Sequence, residues 1–508
     1  MFMSTLFRTA AIGVLLVLPL ACASENTVVE SGTVYTDDWE SISAYEIPDW
    51  FADAKLGIFI HWGVYSVPAY GSEWYPRRMY ERDSVRHASG RATSANTYIH
   101  KHHVETYGDP SEFGYKDFIP MFKAENFDAD AWLDLFEEAG ARYIVPVAEH
   151  HDSFAMYNSS HTRWDAVEMG PKRDILAELA EATRARNLYF GASSHLAFNW
   201  DYFTREEGWD TADPEYADLY GPAHEQYVDP VSAEFMEYWW DRTTEIIDVY
   251  QPDVMWFDFF IDQEDFVPYH PKLAAHYYNK GVEWDREVVL QTKNMGFESY
   301  PQGTHVLDIE RGKLPGIHPF PWQTDTSVGT NSWGYVTNWI SKSPNTIVDD
   351  LVDIVSKNGN LLLNVGPKSD GTIPEDQAEV LRELGGWLRQ NGDAIYGTRP
   401  WTSFGEGPTK DAEGHHSEGR NKQLTAEDIR FTTKDDVLYA ILMAWPESGT
   451  AVVKSLGTGG ELDRAISGVT LLGHASALDY EQTADGLMVT LPAERPNDYA
   501  YAIAVALD

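Results

Sequence analysis

Short apolar runs alternate with amphipathic stretches from about residue 55 onward. Runs of strand length separated by segments of helical periodicity are typical of βα units around a parallel sheet. Between them, Asp128 can cap a helix whose Trp132, Leu133 and Phe136 share one face. The pattern predicts an α/β fold, a (β/α)8-like TIM barrel whose catalytic groups sit at the carboxyl ends of the strands. The predicted strands are 56–61, 142–148, 188–193, 253–258, 287–291, 304–309, 322–326 and 361–365.

The pattern changes near residue 398. Stretches that contain Gly and Pro are followed by short strand-like runs at 438–444, 469–472, 487–491 and 499–505. This spacing favours a small β-sandwich. We therefore predict a catalytic barrel domain over residues 33–398 and a C-terminal β-sandwich domain over 399–508. Because we find no cluster of acidic or imidazole side chains in the second domain, we expect it to buttress the barrel, with a sugar-binding module as the alternative.

Residues 1–23 have the layout of a secretory signal peptide. Arg8 precedes an apolar stretch over 10–20, and Ala21, Cys22 and Ala23 precede polar sequence. We expect cleavage after Ala23 and export of a bacterial protein to the periplasm or the outside, with lipoprotein anchoring through Cys22 as the alternative. Cleavage there would remove the single cysteine, which excludes disulfides and thiolate metal sites. No later segment predicts a membrane span.

The chain is strongly acidic. Its 508 residues include 38 Lys and Arg against 80 Asp and Glu, a formal net charge of -42. This charge would repel phosphate backbones and anionic membranes, so we expect no nucleic-acid partner. The 18 Trp, 28 Tyr and 22 Phe supply many rings for a sugar or apolar ligand site. The sequence indicates no oligomeric state.

Polar side chains stand where five of the predicted strands end. Because the carboxyl ends of barrel strands share one mouth, we expect these groups to meet there. Asp258 is crowded by apolar residues such as Trp256 and Phe257, an unusual setting for a solvated carboxylate. For a single Asp at a strand end, capping of the next turn is the alternative. The residues are His61, His150, His151, His195, Asp258 and Glu310.

Two chemistries could use this set. In a metal-dependent hydrolase the imidazoles and Asp258 would bind one or two divalent ions that activate water. In a glycosidase Asp258 and Glu310 would be the carboxylate pair, and the imidazoles would bind sugar hydroxyls. The first strand offers His61 alone and no His-x-His pair, and rings near the predicted strand ends suit a sugar, so we favour the glycosidase with no metal and no cofactor. The rings are Trp62, Trp74, Tyr75, Trp256 and Trp322.

Several long motifs occur in a fixed order along the chain. They include Ala-Lys-Leu-Gly-Ile-Phe-Ile-His-Trp-Gly at 54–63, Glu-His-His-Asp-Ser-Phe at 149–154, Trp-Phe-Asp at 256–258, Ser-Trp-Gly-Tyr at 332–335 and Asn-Leu-Leu-Leu-Asn-Val-Gly-Pro at 360–367. Together they resemble family 29 glycoside hydrolases, the α-L-fucosidases, over about residues 45–398. The resemblance implies a retaining exo-glycosidase that removes terminal α-L-fucosyl residues from oligosaccharides or glycans by double displacement.

The resemblance also implies roles for individual residues. Asp258 matches the nucleophile, and Glu310 matches the acid/base, with Glu298 and Asp308 as nearby rivals. We expect an apolar wall to keep Glu310 protonated and hydrogen bonds to keep Asp258 charged. The implied fucose contacts are His61, His150, His151 and Trp74.

The chain departs from the family pattern at two strands. Where many members have Asn-Asp-Arg-Trp-Gly, residues 291–296 read Gln-Thr-Lys-Asn-Met-Gly, so Lys293 replaces an arginine contact or that contact is lost. Where many have Tyr-Tyr-Ser, the chain has Ser-Ser-His at 193–195, which makes His195 a candidate contact. A fucose-binding protein without catalysis is a further alternative, although the presence of both Asp258 and Glu310 argues against it.

Overall fold

A closed parallel barrel forms the larger part of the molecule. The computed structural model describes residues 34–82, 97–293 and 300–508. Each barrel strand pairs with the next one in sequence, and the last closes on the first with Leu56 opposite Leu361. Every predicted strand overlaps an observed one, so the barrel prediction is confirmed. Within the described ranges the strands are β1 (Leu56–Ile60), β2 (Tyr143–Glu149), β3 (Tyr189–Ser194), β4 (Val254–Phe257), β5 (Val289–Lys293), β6 (Val306–Asp308), β7 (Trp322–Ser327) and β8 (Gly359–Val365).

Helices connect and surround these strands. Asp128 caps α5 by accepting the Ala131 N–H at 3.1 Å, and the helix buries Trp132, Leu133 and Phe136, as predicted. In the described part of the chain the α-helices are α1 (Trp39–Ile42), α2 (Asp49–Ala54), α3 (Tyr75–Arg78), α4 (Thr97–Tyr107), α5 (Ala129–Glu138), α6 (Ile175–Ala185), α7 (Asn199–Tyr202), α8 (Ala217–Tyr220), α9 (Ala233–Glu245), α10 (Tyr269–Trp284), α11 (Pro344–Ser356) and α12 (Glu375–Asn391).

Buried polar side chains fill part of the barrel interior. The Tyr143 hydroxyl donates to Gln323 Oε1 at 2.6 Å, and the Gln323 amide donates to Asp308. Asp308 also accepts the Trp256 indole N–H at 3.1 Å. These groups bond to one another because a buried polar group without a partner would be destabilising. The network supports the strands from inside.

The C-terminal strands form two antiparallel sheets, which confirms the predicted sandwich. In the larger sheet the strand order is β13, β16, β11, β10, β9, and in the smaller it is β12, β15, β14. Buried side chains such as Phe431, Leu487 and Ile503 form one apolar cluster between the sheets. The bounds are β9 (Arg399–Glu406), β10 (Ile429–Lys434), β11 (Val437–Leu442), β12 (Thr450–Val453), β13 (Ile466–Leu471), β14 (Tyr480–Thr483), β15 (Gly486–Thr490) and β16 (Tyr501–Leu507).

Buried ion pairs join the barrel to the C-terminal strands. Asp353 on α11 contacts Arg430 Nε on β10 at 2.6 Å and Lys357 Nζ at 2.7 Å. Lys313, which follows β6, lies 3.0 Å from Asp411 between β9 and β10. Charges buried this deeply are tolerated only when they are paired, so the junction depends on each partner.

The predicted signal peptide lies outside the described residues. In the ranges that the structure covers, no helix has both the length and the apolar character needed to cross a bilayer.

Candidate active site

Asp258 lies directly after β4, and its carboxylate is surrounded by donors. Oδ2 lies 3.0 Å from His195 Nδ1 and 3.3 Å from His151 Nε2. Oδ1 lies 2.9 Å from Lys293 Nζ and accepts the Phe259 N–H at 2.8 Å. The turn contact from the Phe259 backbone is therefore one of several, and the three side chains come from just after β2, just after β3 and the end of β5. This convergence is the one expected of a barrel mouth.

These donors determine the charge of Asp258. Burial alone would raise the pKa of the Asp258 carboxyl, but the Lys293 ammonium and the bonds from His151 and His195 outweigh burial and hold the pKa well below its usual value. Asp258 is therefore ionised at neutral pH, as expected from the sequence.

Lys293 connects the two candidate catalytic carboxylates. Its Nζ lies 2.9 Å from Asp258 Oδ1 and 2.7 Å from Glu310 Oε2. Burial would lower the pKa of Lys293, yet Asp258, Asp325 and Glu310 raise it well above its usual value, so the side chain is an ammonium. The expectation of an apolar wall around Glu310 is wrong, because this carboxylate faces a cation instead.

His61 and His150 differ in the surroundings of their Nδ1 atoms. His61 Nδ1 lies 2.8 Å from Asn364 Oδ1 at the end of β8, which orients the ring. His150 Nδ1 is buried and has no hydrogen-bond partner among the described residues. A buried nitrogen without a partner is destabilising unless a ligand or water satisfies it. Within the described residues the protein therefore leaves the Nδ1 atom of His150 unsatisfied.

The other two histidines pack against Asp258 and against each other. His151 Nδ1 lies 2.7 Å from the carbonyl oxygen of His195, and this contact fixes the His151 ring. His195 Nε2 lies 3.0 Å from Ser193 Oγ, while its Nδ1 faces Asp258. His195, which departs from the family pattern, thus orients the carboxylate that matches the nucleophile.

Burial keeps several of these imidazoles neutral. It lowers the pKa of His195 to about 4, and the hydrogen bond that His195 donates to Asp258 only partly opposes the effect. Burial and the neighbouring imidazoles also lower the pKa values of His61 and His150 well below the usual value. A neutral imidazole can both donate and accept a hydrogen bond, which suits a sugar hydroxyl.

The same side chains are also close enough to one another to coordinate a metal ion. Nitrogens of His61, His150 and His195 lie within 4.8 Å of one another, and so do atoms of His151, His195 and Asp258. The Lys293 ammonium 2.9 Å from Asp258 would repel a second cation placed there.

The predicted aromatic contacts have different positions. Trp74 lies at the mouth, with its ring 5.4 Å from that of His151 and stacked on Phe259 at 6.3 Å. Trp256 is fully buried, 5.1 Å from the His195 ring and 5.0 Å below the Lys293 ammonium. The structure contradicts the prediction for Trp322. This residue begins β7 at the opposite end of the barrel, is fully buried, and donates its indole N–H to the Lys357 carbonyl oxygen.

The rival acids also separate. Asp308 is fully buried inside the barrel and bonded to Trp256, whereas the Glu310 side chain is 17% exposed at the mouth. Glu298 lies outside the described residues. The geometry favours Glu310 as the acid that a leaving group could reach.

Sequence reasoning missed several residues of the site. Asn364 and Ser193 orient His61 and His195, although both lie inside or beside quoted motifs. Trp333, in the Ser-Trp-Gly-Tyr motif, has its ring 5.1 Å from that of His61. His415 and His416, between β9 and β10, contact Glu310, so the C-terminal region reaches the site as well as buttressing the barrel.

Comparison with known proteins agrees with this geometry. Residues 22–393 match the family model described as alpha-L-fucosidase, and residues 421–507 match the alpha-L-fucosidase C-terminal domain. The rat tissue alpha-L-fucosidase is 32% identical over 471 residues, which cover 92% of this chain and 90% of that protein. The human plasma alpha-L-fucosidase is 32% identical over 94% of this chain and 93% of its own length.

Solved structures show the same likeness. The crystal structure of the Thermotoga maritima alpha-fucosidase in complex with fucose has a TM-score of 0.72 and 31% identity, over 93% of this chain and all of that one. The alpha-L-fucosidase isoenzyme 1 from Paenibacillus thiaminolyticus has a TM-score of 0.65 and 25% identity, over 90% of this chain and 98% of that one. The family model covers most of the sequence, including every strand of the barrel and the residues around Asp258. The chain therefore belongs to the α-L-fucosidase family.

Proposed function

We propose that this α-L-fucosidase is a retaining exo-enzyme in which Asp258 is the nucleophile and Glu310 is the acid/base. The observation that carries the proposal is the shared contact of both carboxylates with Lys293. Because Asp258 Oδ1 and Glu310 Oε2 each lie within 3 Å of the same nitrogen, the two oxygens are at most about 6 Å apart. Retaining pairs are separated by about 5–5.5 Å and inverting pairs by about 6.5–9.5 Å, so this limit supports retention.

The two chemical steps follow from this pair. In the first, a carboxylate oxygen of Asp258 bonds to the anomeric carbon while the bond to the leaving oxygen breaks and Glu310 donates its proton to that oxygen. In the second, Glu310 takes a proton from water, whose oxygen displaces Asp258 and restores the original configuration. A nucleophile with a lowered pKa suits this scheme, because only the ionised carboxylate can attack.

Several neutral imidazoles favour a hydroxyl-rich ring in the pocket. His150 Nδ1 is buried without a partner in the described residues, and a sugar hydroxyl would satisfy it. Trp74 and Phe259 provide an apolar surface at the same mouth, which suits the methyl group of fucose. The Thermotoga maritima relative was crystallised with fucose, which supports the same sugar as the ligand of this chain. We infer that the substrates are terminal α-L-fucosides of oligosaccharides or polysaccharides.

The decisive experiment removes the proposed nucleophile. Asp258→Gly should lower turnover of an aryl α-L-fucoside by about 10⁴-fold or more, because no covalent intermediate can form. Added azide should restore part of the activity and yield the β-L-fucosyl azide, since azide attacks from the side that Asp258 occupied. Asp262→Gly, in the same loop, is the matched control and should keep near wild-type activity.

Two other outcomes would redirect the assignment. Undiminished activity of Asp258→Gly would remove the proposed nucleophile, and an α-configured azide would contradict its position. A wild-type protein that binds fucose but releases no aglycone from any fucoside would be the non-catalytic binding protein considered from the sequence.

A metal-dependent hydrolase remains the second candidate, because two buried groups of His and Asp side chains have ligand atoms within 4.8 Å. If the protein were such a hydrolase, elemental analysis would find about one or two divalent ions per chain, and a chelator would abolish the activity. The proposed mechanism predicts full activity in EDTA, since Lys293 already supplies the positive charge beside Asp258.

We infer export from the signal-like residues 1–23 and a lack of nucleic-acid partners from the net charge of -42. N-terminal sequencing of the mature protein after cell fractionation tests the first point and should find Ser24 as the first residue. A lipid-modified Cys22 in the membrane fraction would support the lipoprotein alternative.

A further inference from the structure

The connection between β9 and β10 reaches from the C-terminal sheet to Glu310. Its residues run antiparallel to the chain that follows β6: the His416 N–H donates to the Glu310 carbonyl oxygen at 2.8 Å, and the Gly414 N–H donates to that of Lys313 at 2.9 Å. A Cβ on Gly312 would lie 1.9 Å from the Gly414 carbonyl oxygen, so the two segments are in close contact. The backbone of Glu310 is therefore held by residues more than 100 positions later in the chain.

Side chains of the same connection strengthen this contact. His415 Nδ1 accepts the Glu310 N–H at 3.1 Å. The Glu418 carboxylate lies 2.6 Å from Arg311 Nη1 and 2.7 Å from Lys342 Nζ. Charge-assisted bonds of this kind restrict both partners more than neutral ones do. Glu418 thus ties Arg311, the residue next to Glu310, to the C-terminal connection.

His416 differs from its neighbours because its side chain faces solvent beside the Glu310 carboxylate. The imidazole is 62% exposed, and its Nδ1 lies 3.9 Å from Glu310 Oε1. Its φ of 53° lies in the left-handed region, which is unfavourable for a non-glycine residue and is maintained here by the bond from its N–H to Glu310. The other oxygen, Oε2, faces Lys293 on the inner side. His416 therefore stands on the outer side of the proposed acid, where a leaving group must pass.

We propose that the connection 407–428 forms the wall of the leaving-group subsite. In this subsite His416 binds the sugar to which the fucosyl residue is attached and which is released by cleavage. This assignment rests on the proposed acid/base role of Glu310. An imidazole beside the acid can donate to or accept from a saccharide hydroxyl, and this contact would orient the glycosidic oxygen toward Glu310. The C-terminal segment thereby contributes to substrate choice, and Glu418 and His415 are positioning residues.

The test compares two substrates that differ only in the leaving group. A fucosyl disaccharide, chosen as the linkage isomer that the wild type cleaves fastest, needs both the acid and the subsite. α-L-Fucosyl fluoride has a single-atom leaving group and needs neither to the same extent. His416→Ala should lower kcat/KM for the disaccharide about tenfold and leave that for the fluoride within twofold. His416→Gln, which retains a hydrogen-bonding group, should recover part of the loss.

Two further variants keep the interpretation unambiguous. His474→Ala, a histidine elsewhere in the C-terminal domain, should match the wild type on both substrates. Glu310→Ala should lose far more activity on the disaccharide than on the fluoride, and equal losses would overturn the acid/base role itself. If Glu310→Ala behaves as expected while His416→Ala matches the wild type on both substrates, or loses equally on both, the leaving-group subsite is refuted and the proposed function stands.

Discussion

The Lys293 ammonium lies 2.9 Å from Asp258 Oδ1 and holds that carboxylate in its charged form inside a buried site. Many family members have an arginine in the corresponding motif. A guanidinium spreads its charge over a planar fork, whereas an ammonium is a compact point charge with rotatable donors. The same Lys293 nitrogen also contacts Glu310, at 2.7 Å. One cation thus fixes the separation of the two proposed catalytic groups.

Replacing Lys293 should change the pH dependence of catalysis. In Lys293→Met the main charge that lowers the pKa of Asp258 is lost, so this pKa rises and the nucleophile becomes protonated at higher pH. We expect the acidic limb of kcat/KM for an aryl fucoside to move upward by about 1–3 pH units. Lys293→Arg, which retains the charge, is the control and should keep the limb near its original position. An unmoved limb in Lys293→Met would show that another group sets the charge of Asp258.

Replacing His150 should weaken sugar binding without disturbing the fold. His150→Phe removes a buried nitrogen that has no partner in the described part of the chain, so no protein contact through that nitrogen is lost. We expect the inhibition constant of L-fucose to rise about tenfold, the effect of one lost hydrogen bond, with an unchanged melting temperature. His161→Phe, a partly exposed histidine away from the site, should leave the constant as it is. An unchanged inhibition constant in His150→Phe would show that the hydroxyls of fucose do not bind at His150.

The buried histidines should make the fold sensitive to acid. The pKa of His195 is about 4 in the folded protein against 6.5 ordinarily, so below pH 6.5 the unfolded chain binds more protons and the folded state loses stability until about pH 4. This group alone contributes a loss of roughly 3 kcal/mol over that interval. Asp152, whose pKa burial raises to about 6, acts in the opposite direction.

A variant without a titratable side chain at position 195 isolates the contribution of His195 to the pH dependence of stability. We expect the free energy of unfolding in urea to fall more steeply between pH 6.5 and 4 in the wild type than in His195→Gln. Parallel curves for the two proteins would contradict the lowered pKa.

The junction between the barrel and the C-terminal sheets should depend on Asp353. Asp353→Ala leaves Arg430 and Lys357 buried without their anion, which should destabilise the protein by about 3–5 kcal/mol in denaturant unfolding. Asp349, one turn earlier on α11, has a pKa raised to about 7 by burial and the nearby Asp350. Asp349→Ala should therefore lower the free energy of unfolding by less than about 1 kcal/mol. Equal effects of the two substitutions would show that the ion pairs at Asp353 add nothing.

Much of the fold could be predicted from local patterns. Apolar runs of strand length and helical spacing each depend on residues close in sequence, and the barrel follows because parallel strands need helical crossovers. The meeting of His61, His150, His195 and Asp258 was also predictable, because strand order places all carboxyl ends at one mouth. Trp322 was misplaced because it begins its strand, and a strand's two ends lie on opposite faces of the barrel.

The sequence by itself determined the strands, the acid and histidine set at their ends, and the family. Only the tertiary structure decided how these groups are charged and held. Burial and contacts across strands set the pKa values of Asp258 and His195, and neither effect has a local pattern. Likewise, His416 contacts Glu310 although the two residues are more than 100 positions apart in the sequence. The pairing of these two segments could not be predicted from the hydrophobic pattern of either one. Local sequence patterns therefore determine the helices and strands of this protein. Long-range packing determines which side chains come together and how they are charged.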